Sequence, residues 1–184
     1  LETKRLYFPR FFFLSDDQML EILSQTKEPR AVQPHLNKAF EGINEVNFEE
    51  SLVITKMISA ENEVVVLNEE VNPEAPRNKG NVERWLLELE NIQWDSVRNH
   101  VERAMEEYPA VPRAKWTLRW PAQVVLLVSQ IFWTEEVTEA VGGGGADQLE
   151  KYLAQCTAQM QSIVMLVRGK LSKLERKTLS ALVV

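Results

Sequence analysis

The first candidate for a chemical site is the run Arg168–Ser172, because it carries the Gly–Lys pair of a phosphate-binding loop. A P-loop needs Ser or Thr directly after its lysine and a further glycine five residues before the Gly–Lys pair. Leu171 and Val164 occupy those two positions. We therefore expect the run to bind no nucleotide and to lie within a helix.

The four consecutive glycines at 142–145 are a second candidate, because a glycine-rich turn before a helix can form an anion-binding nest. Asp147 lies two residues after the last of these glycines and would repel a phosphate. We interpret the glycines as a flexible turn.

Ionisable side chains are the third candidate. The two histidines, His35 and His100, have no metal-spaced neighbours, and Cys156 is the single cysteine. Pairs of carboxylates could act as acid and base, but along a predicted helix they are typical of a solvated face. These glutamates are Glu83, Glu88, Glu90, Glu102, Glu106 and Glu107. The sequence thus predicts no catalytic, cofactor-binding or metal-binding residue, and a chain that is not an enzyme.

Composition narrows the classes of protein. The 184 residues carry a net charge of −6, which disfavours nucleic acid as a partner because phosphate binding needs cationic surface. A lone cysteine excludes an internal disulfide and suits a reducing compartment. We find no signal peptide and no apolar run long enough to cross a membrane. Both termini look cut, since the sequence stops on an apolar run, so we expect a piece of a longer protein.

The segment Trp116–Trp133 is the predicted centre of the fold. Pro121 suits the first turn of a helix, and the apolar block Val124–Val128 covers every side of one. A buried strand stays open as an alternative. We favour a helix buried on all sides.

Two local motifs are predicted near the N-terminus. The aromatic segment Leu6–Leu14 contains Pro9 and is expected to be extended. Ser15 and Gln18 form a capping box that begins a helix to about Gln25. This helix is expected to bury Met19, Leu20, Ile22 and Leu23.

The next stretch predicts a short helix and a hairpin. The helix begins at about Pro34 and ends at a left-handed cap on Gly42, with His35 exposed. Two Val- and Ile-rich runs, Leu52–Met57 and Glu63–Leu67, predict a β-hairpin.

Two long helices are expected in the rest of the chain. Asn81 caps the first, which runs to about Tyr108. The second begins at about Ala146 and keeps a nearly heptad spacing as far as Leu174, which places Cys156 in a buried seam. The fold class is therefore mainly α, an elongated helical bundle with one small β-hairpin and a minor α+β character. The Pro-punctuated connection at 68–80 predicts two domains, 1–80 and 81–184.

Several blocks of the sequence together match one known family in order and cover almost the whole chain. They are Leu6–Ser15 with Met19–Gln25, Val32–Ile43, Trp120–Val125 with Trp133–Val137, and Leu166–Leu171. On these blocks the chain resembles the linker region of dynein heavy chains, and the axonemal branch more closely than the cytoplasmic one. Ala122 stands where a glycine is common in that family, and the glycines at 142–145 look local to this chain.

The resemblance implies a mechanical role. In this family the linker lies across a ring of AAA+ modules, joins the first of them at its C-terminal end, and produces the power stroke along microtubules. The chain would be the C-terminal part of the linker, and ATP and Mg²⁺ would bind the ring, not this chain. Its partner would be the AAA+ ring of the same heavy chain. Microtubules and accessory chains would be reached only through the parent protein, in the axoneme of a cilium or flagellum.

The hairpin turn with Glu61, Asn62 and Glu63 is our candidate interaction site, because a protruding hairpin needs a partner to hold it. A passive helical interaction domain, with a large exposed apolar patch, is the alternative function. We expect a hydrolase screen to be blank.

Overall fold

The computed structural model describes residues 1–143 and 145–183. Within them, the chain forms eight α-helices and one small antiparallel sheet, which confirms a mainly α fold with a minor β part. The helices are α1 Glu2–Tyr7, α2 Asp16–Ser24, α3 Gln33–Ala39, α4 Val82–Glu107, α5 Arg113–Trp116, α6 Ala122–Gly142, α7 Ala146–Val167 and α8 Lys173–Val183. The strands are β1 Glu45–Phe48, β2 Ile54–Ile58 and β3 Val64–Val71, and 3₁₀ turns cover Pro9–Phe13 and Pro29–Val32.

The chain divides into two compact units. The first spans Leu1–Val97 and the second begins at Arg98, so that the division falls inside α4. The predicted domain boundary at residue 80 stays a prediction. The first half of α4 counts with the N-terminal unit because Val82, Trp85 and Leu89 are buried in its core.

The aromatic N-terminal segment is helical, and the prediction of an extended chain was wrong. Helix α1 ends at Tyr7, and Pro9 opens a 3₁₀ turn instead of breaking a strand. Proline is tolerated in the first turn of a helix, because the N–H that it lacks would have no partner there. The tight turn buries Phe8 and Phe11 but leaves Phe12 and Phe13 62% and 70% exposed.

The start of α2 is confirmed in detail. Gln18 N donates to Ser15 Oγ over 3.3 Å, and Ser15 N donates to Gln18 Oε1 over 3.1 Å. Met19 and Ile22 are buried as expected, but Leu20 is 54% exposed. The error arose because a nine-residue helix presents only one face to a core.

The predicted hairpin is β2–β3, and β1 adds a third strand that the sequence pattern did not reveal. The order is β1-β2-β3, all antiparallel, with Met57 opposite Val46 on one side and Val65 on the other. Gln33, at the start of α3, pairs with the outer strand: its Nε2 donates to Val46 O over 2.8 Å, and Val46 N donates to its Oε1 over 3.1 Å. The Gln33 side chain thus satisfies both the backbone N–H and the backbone C=O of Val46 on an edge strand.

Helix α3 confirms the predicted short helix, and Val32, Leu36 and Phe40 are buried. Two details differ. The cap is Phe40 in an extended conformation, and Gly42 does not have the positive φ expected of it. His35 is 7% exposed instead of solvated, because α3 is packed on two sides by its neighbours.

In the second unit, Trp116 and α6 form the core. Val124, Val125 and Val128 are at most 1% exposed, and α6 confirms helix over buried strand. Leu127 is 42% exposed, so the expectation that every side of the block is covered was wrong. Trp133 is 58% exposed on the same helix.

The last long helix is shorter than predicted. Helix α7 ends at Val167, and Arg168–Ser172 is an exposed connection, not the helix interior expected for it. Ser172 and Glu175 form a second capping box: Ser172 N donates to Glu175 Oε2 over 2.7 Å, and Glu175 N to Ser172 Oγ over 3.2 Å. Helix α8 begins directly after Ser172, at this capping box.

The side chains of the seam predicted along α7 are largely exposed. Leu149, Leu153 and Met160 are 44%, 67% and 53% exposed, while Ile163 is buried. Cys156 is half-buried, not buried as predicted. Leu179 of α8, by contrast, is fully buried.

The glycine run joins α6 and α7. Gly142 closes α6 and Gly145 precedes α7. Gly144 lies outside the described residues, so the flexible turn predicted there is not described. Across residues 1–143 and 145–183, no helix combines the length and the apolar composition needed to cross a membrane.

Candidate functional site

The predicted interaction residues lie in the turn between β2 and β3. Ser59 organises this turn: its Oγ accepts from Glu61 N and Glu63 N over 3.1 and 3.2 Å, and it also contacts Glu61 Oε2. Asn62 adopts a φ of +65°, a left-handed conformation that asparagine tolerates better than most residues. Ser59 N donates to Glu63 O over 2.9 Å and closes the loop.

The turn is therefore a pre-shaped acidic projection. Glu61 and Asn62 are exposed, and Glu63 is half-buried. Two carboxylates on a rigid turn suit contact with a cationic surface, since little conformational entropy is lost on docking. No group of three or more metal-ligating side chains occurs here or elsewhere in the described residues.

The carboxylates of α4 do not all form the solvated face that was predicted. Glu83 is 6% exposed and pairs with Lys4 of α1. Glu88 accepts from Arg77 over 2.5 Å and from Asn78 over 2.7 Å. These carboxylates tie α4 to the rest of the N-terminal unit, because a buried charge is tolerated only when it is paired.

His35 has a structural partner that spacing could not reveal. Its Nε2 lies 3.3 Å from Glu21 Oε2, close enough for an ion pair but without hydrogen-bond geometry. Glu21 is on α2, fourteen positions earlier along the chain. The pair joins α2 to α3 and has no metal-binding group beside it among the described residues.

The second unit contains a cleft that the sequence analysis missed. Its volume is about 290 Å³, and it is lined by the connection that follows α4 and by residues of α5, α6 and α7. Tyr108 stacks on Phe132 with ring centroids 4.0 Å apart and meets Trp116 edge-on at 5.0 Å. Trp116 Nε1 donates to Ala104 O over 2.9 Å, which fixes the indole.

Arg113 is the charged residue at the centre of this cleft. Its guanidinium lies 5.0 Å from the ring centres of both Tyr108 and Trp116, within the range of cation–π attraction. Nη2 donates to Ser129 Oγ over 2.7 Å. Nη1 is buried and has no acceptor among the described residues.

Burial perturbs the titration of this cluster. Burial lowers the pKa of Arg113, against the opposing effects of Tyr108 and Glu136. Burial also raises the pKa of Tyr108, although Arg113 acts in the other direction. The pKa of Tyr152, on α7, is raised as well, by burial and by its contact with Cys156. The site thus combines a cation, aromatic walls and neutral phenols.

A local signal could have located this site. Pro112, Arg113 and Trp116 follow the end of α4 in a run where a proline opens a short helix and two large side chains share one face. Their contacts with α6 and α7 could not be read from spacing, because Gln155 and Gln159 lie some forty positions away.

Comparison with known proteins gives consistent matches. A family model described as dynein heavy chain, N-terminal region 2, matches residues 1–104. The chain is 50% identical over 184 residues to dynein axonemal heavy chain 3 of Mus musculus and 51% identical over 185 residues to dynein axonemal heavy chain 1 of Homo sapiens. Dynein axonemal heavy chain 12 of Homo sapiens is 50% identical over 183 residues. All of this chain is covered in each case, but only 4%, 4% and 6% of the respective relatives.

Proposed function

Because the chain belongs to the dynein heavy chain family, as a close relative of its axonemal members, we propose that it is a mechanical segment of the linker. In this role it transmits a conformational change of an AAA+ ring and so produces a power stroke along microtubules. ATP and Mg²⁺ bound to that ring would drive the change. The segment itself would do no bond chemistry. Its place of action would be the axoneme of a cilium or flagellum.

The observation that carries this proposal is α4. One continuous helix of 26 residues gives Trp85, Leu86 and Leu89 to the core of the first unit and Ala104 to the core of the second. Such a helix is about 39 Å long, and its hydrogen-bonded backbone resists compression. Each of the two cores is closely packed, and a packed core yields little under load.

The test weakens α4 without touching either core. Asp95 and Arg98 are exposed on the helix. Asp95→Gly with Arg98→Gly should cost about 2 kcal/mol of helix stability relative to two alanines. The matched control is Asp95→Ala with Arg98→Ala, which removes the same side chains and keeps the helix.

In a complete heavy chain, we expect the glycine pair to slow microtubule gliding while ATP hydrolysis continues, and the alanine pair to glide as the wild type does. Equal gliding speeds for the two pairs, with the glycine pair shown to be folded, would remove the mechanical proposal.

The acidic turn at Glu61, Asn62 and Glu63 is proposed to dock on the ring of the same heavy chain. Its support is the rigid, exposed geometry around Ser59. Glu61→Lys with Glu63→Lys should change gliding speed, because the projection would then meet its partner with the opposite charge. Glu41→Lys with Glu50→Lys is the control, since it makes the same charge change at two exposed positions of the same unit. Unchanged motility in the turn variant would exclude this docking site.

One observation favours the alternative, a passive interaction domain. Leu6, Tyr7, Phe12 and Phe13 are exposed together at the N-terminal segment, with fractions of 48–70%. Apolar side chains gathered in this way are typical of a surface that another protein covers. Replacing Phe12 and Phe13 by serine separates the two functions: loss of partner assembly with normal gliding would favour the passive domain, and slowed gliding with intact assembly would favour the linker.

A further inference from the structure

Arg113 lines the cleft of the second unit, and its positive charge is compensated only in part by the surrounding groups. Two aromatic faces flank the guanidinium, and Ser129 Oγ accepts one of its hydrogen bonds. The buried Nη1 has no acceptor among the described residues. A buried donor left without an acceptor is costly, and a buried charge without a counter-charge is costlier.

Glu136 is the carboxylate of this chain that lines the cleft, and it does not supply the missing acceptor. It influences Arg113 electrostatically but forms no ion pair with it. Its Oε2 instead accepts from Gln155 Nε2 over 3.1 Å. Gln159 also lines the cleft and opposes the effect of burial, which raises the pKa of Tyr108 beside it. Neither Glu136 nor Gln159 is hydrogen-bonded to Nη1 of Arg113.

The shape of the cleft limits what can bind beside Arg113. A volume of about 290 Å³ admits a small group and no folded element. The walls are the rings of Tyr108, Trp116 and Phe132, which accept methylene groups. A guanidinium prefers a carboxylate above other acceptors, because charge-assisted N–H···O bonds are short and strong.

We propose that this cleft is a binding slot for a carboxylate on a short aliphatic stem, with the positive charge of Arg113 attracting the carboxylate and the aromatic rings holding the stem. An aspartate or glutamate side chain of another polypeptide segment has this chemistry, and so does a small free carboxylic acid. The slot is independent of the proposed mechanical role.

The test uses the 184-residue chain with acetate as the probe. Sodium acetate is titrated while the side-chain signals of Arg113 are followed by NMR, and sodium chloride at equal ionic strength is the reference. The slot predicts a saturable shift of the Arg113 signals with acetate alone. Equal shifts with both salts, or no saturation with acetate, would overturn it.

Two variants test whether acetate binds beside Arg113. Arg113→Lys keeps the positive charge but loses the planar fork, so acetate should bind about tenfold more weakly. Glu136→Gln removes the competing negative charge without changing shape, so acetate should bind about threefold more tightly. Circular dichroism verifies that both variants are folded. Should Arg113→Lys fail to fold, Glu136→Gln still decides, because unchanged or weaker binding in that variant contradicts a carboxylate beside Arg113.

Peptides distinguish the two sources of the carboxylate. Acetyl-Ala-Glu-Ala-amide carries the acidic side chain, and acetyl-Ala-Gln-Ala-amide is its uncharged match. Tighter binding of the Glu peptide than of acetate assigns the slot to an acidic side chain of a polypeptide, whereas tighter binding of acetate assigns it to a free acid. Equal binding of the two peptides would overturn the proposal.

Discussion

Arg10 is the side chain that holds the N-terminal aromatic segment in place. Its Nε donates to Glu90 Oε1 over 2.7 Å and its Nη1 to Ala39 O over 3.1 Å. The guanidinium also lies 5.1 Å from the ring centre of Phe40. A single residue thereby joins the 3₁₀ turn to the end of α3 and to α4.

Replacing Arg10 should destabilise the chain. We expect Arg10→Ala to lower the free energy of unfolding by about 2 kcal/mol, because the half-buried Glu90 loses its cation and Ala39 O loses a donor. Arg10→Lys should recover less than half, since lysine cannot make both bonds in a plane. Urea denaturation measures the change. Arg30→Ala, at an exposed arginine, is the control and should cost under about 0.5 kcal/mol.

Alkaline pH should destabilise the second unit. The pKa of Tyr108 is raised above 10.0 by burial, so the folded chain keeps a proton that the unfolded chain releases. Stability from this group is complete below pH 10.0 and is lost as the pH rises through the folded pKa.

Thermal unfolding of wild type and Tyr108→Phe across this pH range tests the point. The Tyr108→Phe variant should lose less stability than the wild type at alkaline pH. Identical pH dependence of the two proteins would contradict a role for this phenol.

Single residues were predictable where their partners are local. Ser15 and Gln18 meet across one turn, so the motif alone defines the contact. Glu83 and His35 were predicted to be solvated, yet they pair with Lys4 and Glu21. Glu83 and Lys4 are 79 positions apart, and only the packed fold brings them together.

At the scale of elements, Gln33 completes the sheet. It offers Val46 one donor and one acceptor, as a neighbouring strand would. An unpaired edge strand is open to other chains, and natural proteins cover such edges. Helix α3 is thus both a core helix and the cover of β1.

Removal of the Gln33 amide should loosen β1. Gln33→Ala leaves Val46 N and O without partners and should cost about 1–2 kcal/mol. Gln33→Glu should cost at least as much, because its carboxylate can accept from Val46 N but would face Val46 O without a proton to donate. Amide exchange at Val46 gives the local readout. Gln161→Ala, at an exposed position of α7, should leave that exchange unchanged.

Long, strongly periodic elements were predicted well, and their ends less so. The bounds of α4 and the helical state of α6 follow from spacing and from the flanking prolines. Strand β1 was missed because Glu45–Phe48 has only four residues, which is too short for a distinct pattern. The continuation of α7 to Leu174 was wrong because its apolar spacing carries on across the connection, while the capping box at Ser172 restarts the helix.

At the scale of the whole chain, the first turns of α4 belong to the core of the first unit, where Val82 and Trp85 are buried. Burying two large apolar side chains contributes several kcal/mol, roughly 1.5–3 for each, and no local pattern reveals which core they join. The domain boundary at residue 80, predicted from the Pro-punctuated run before α4, stays a prediction.

The chain should not respond to nucleotide. If ATP and Mg²⁺ act only at a ring outside these residues, their addition should leave the melting temperature unchanged, since a ligand stabilises a protein only by binding its folded state. Differential scanning calorimetry with and without MgATP measures this. An increase of several degrees would reveal a nucleotide site in the chain and contradict the proposal.

The connection between α7 and α8 offers trypsin a place to cut without separating the pieces. Arg168 and Lys170 lie there on exposed, irregular backbone, which is where proteases nick folded domains first. The C-terminal peptide beyond the cut would stay bound, because Leu179 of α8 is fully buried and Thr178 nearly so. After brief digestion, a cut at this connection should therefore show on a denaturing gel while the pieces still elute together in gel filtration.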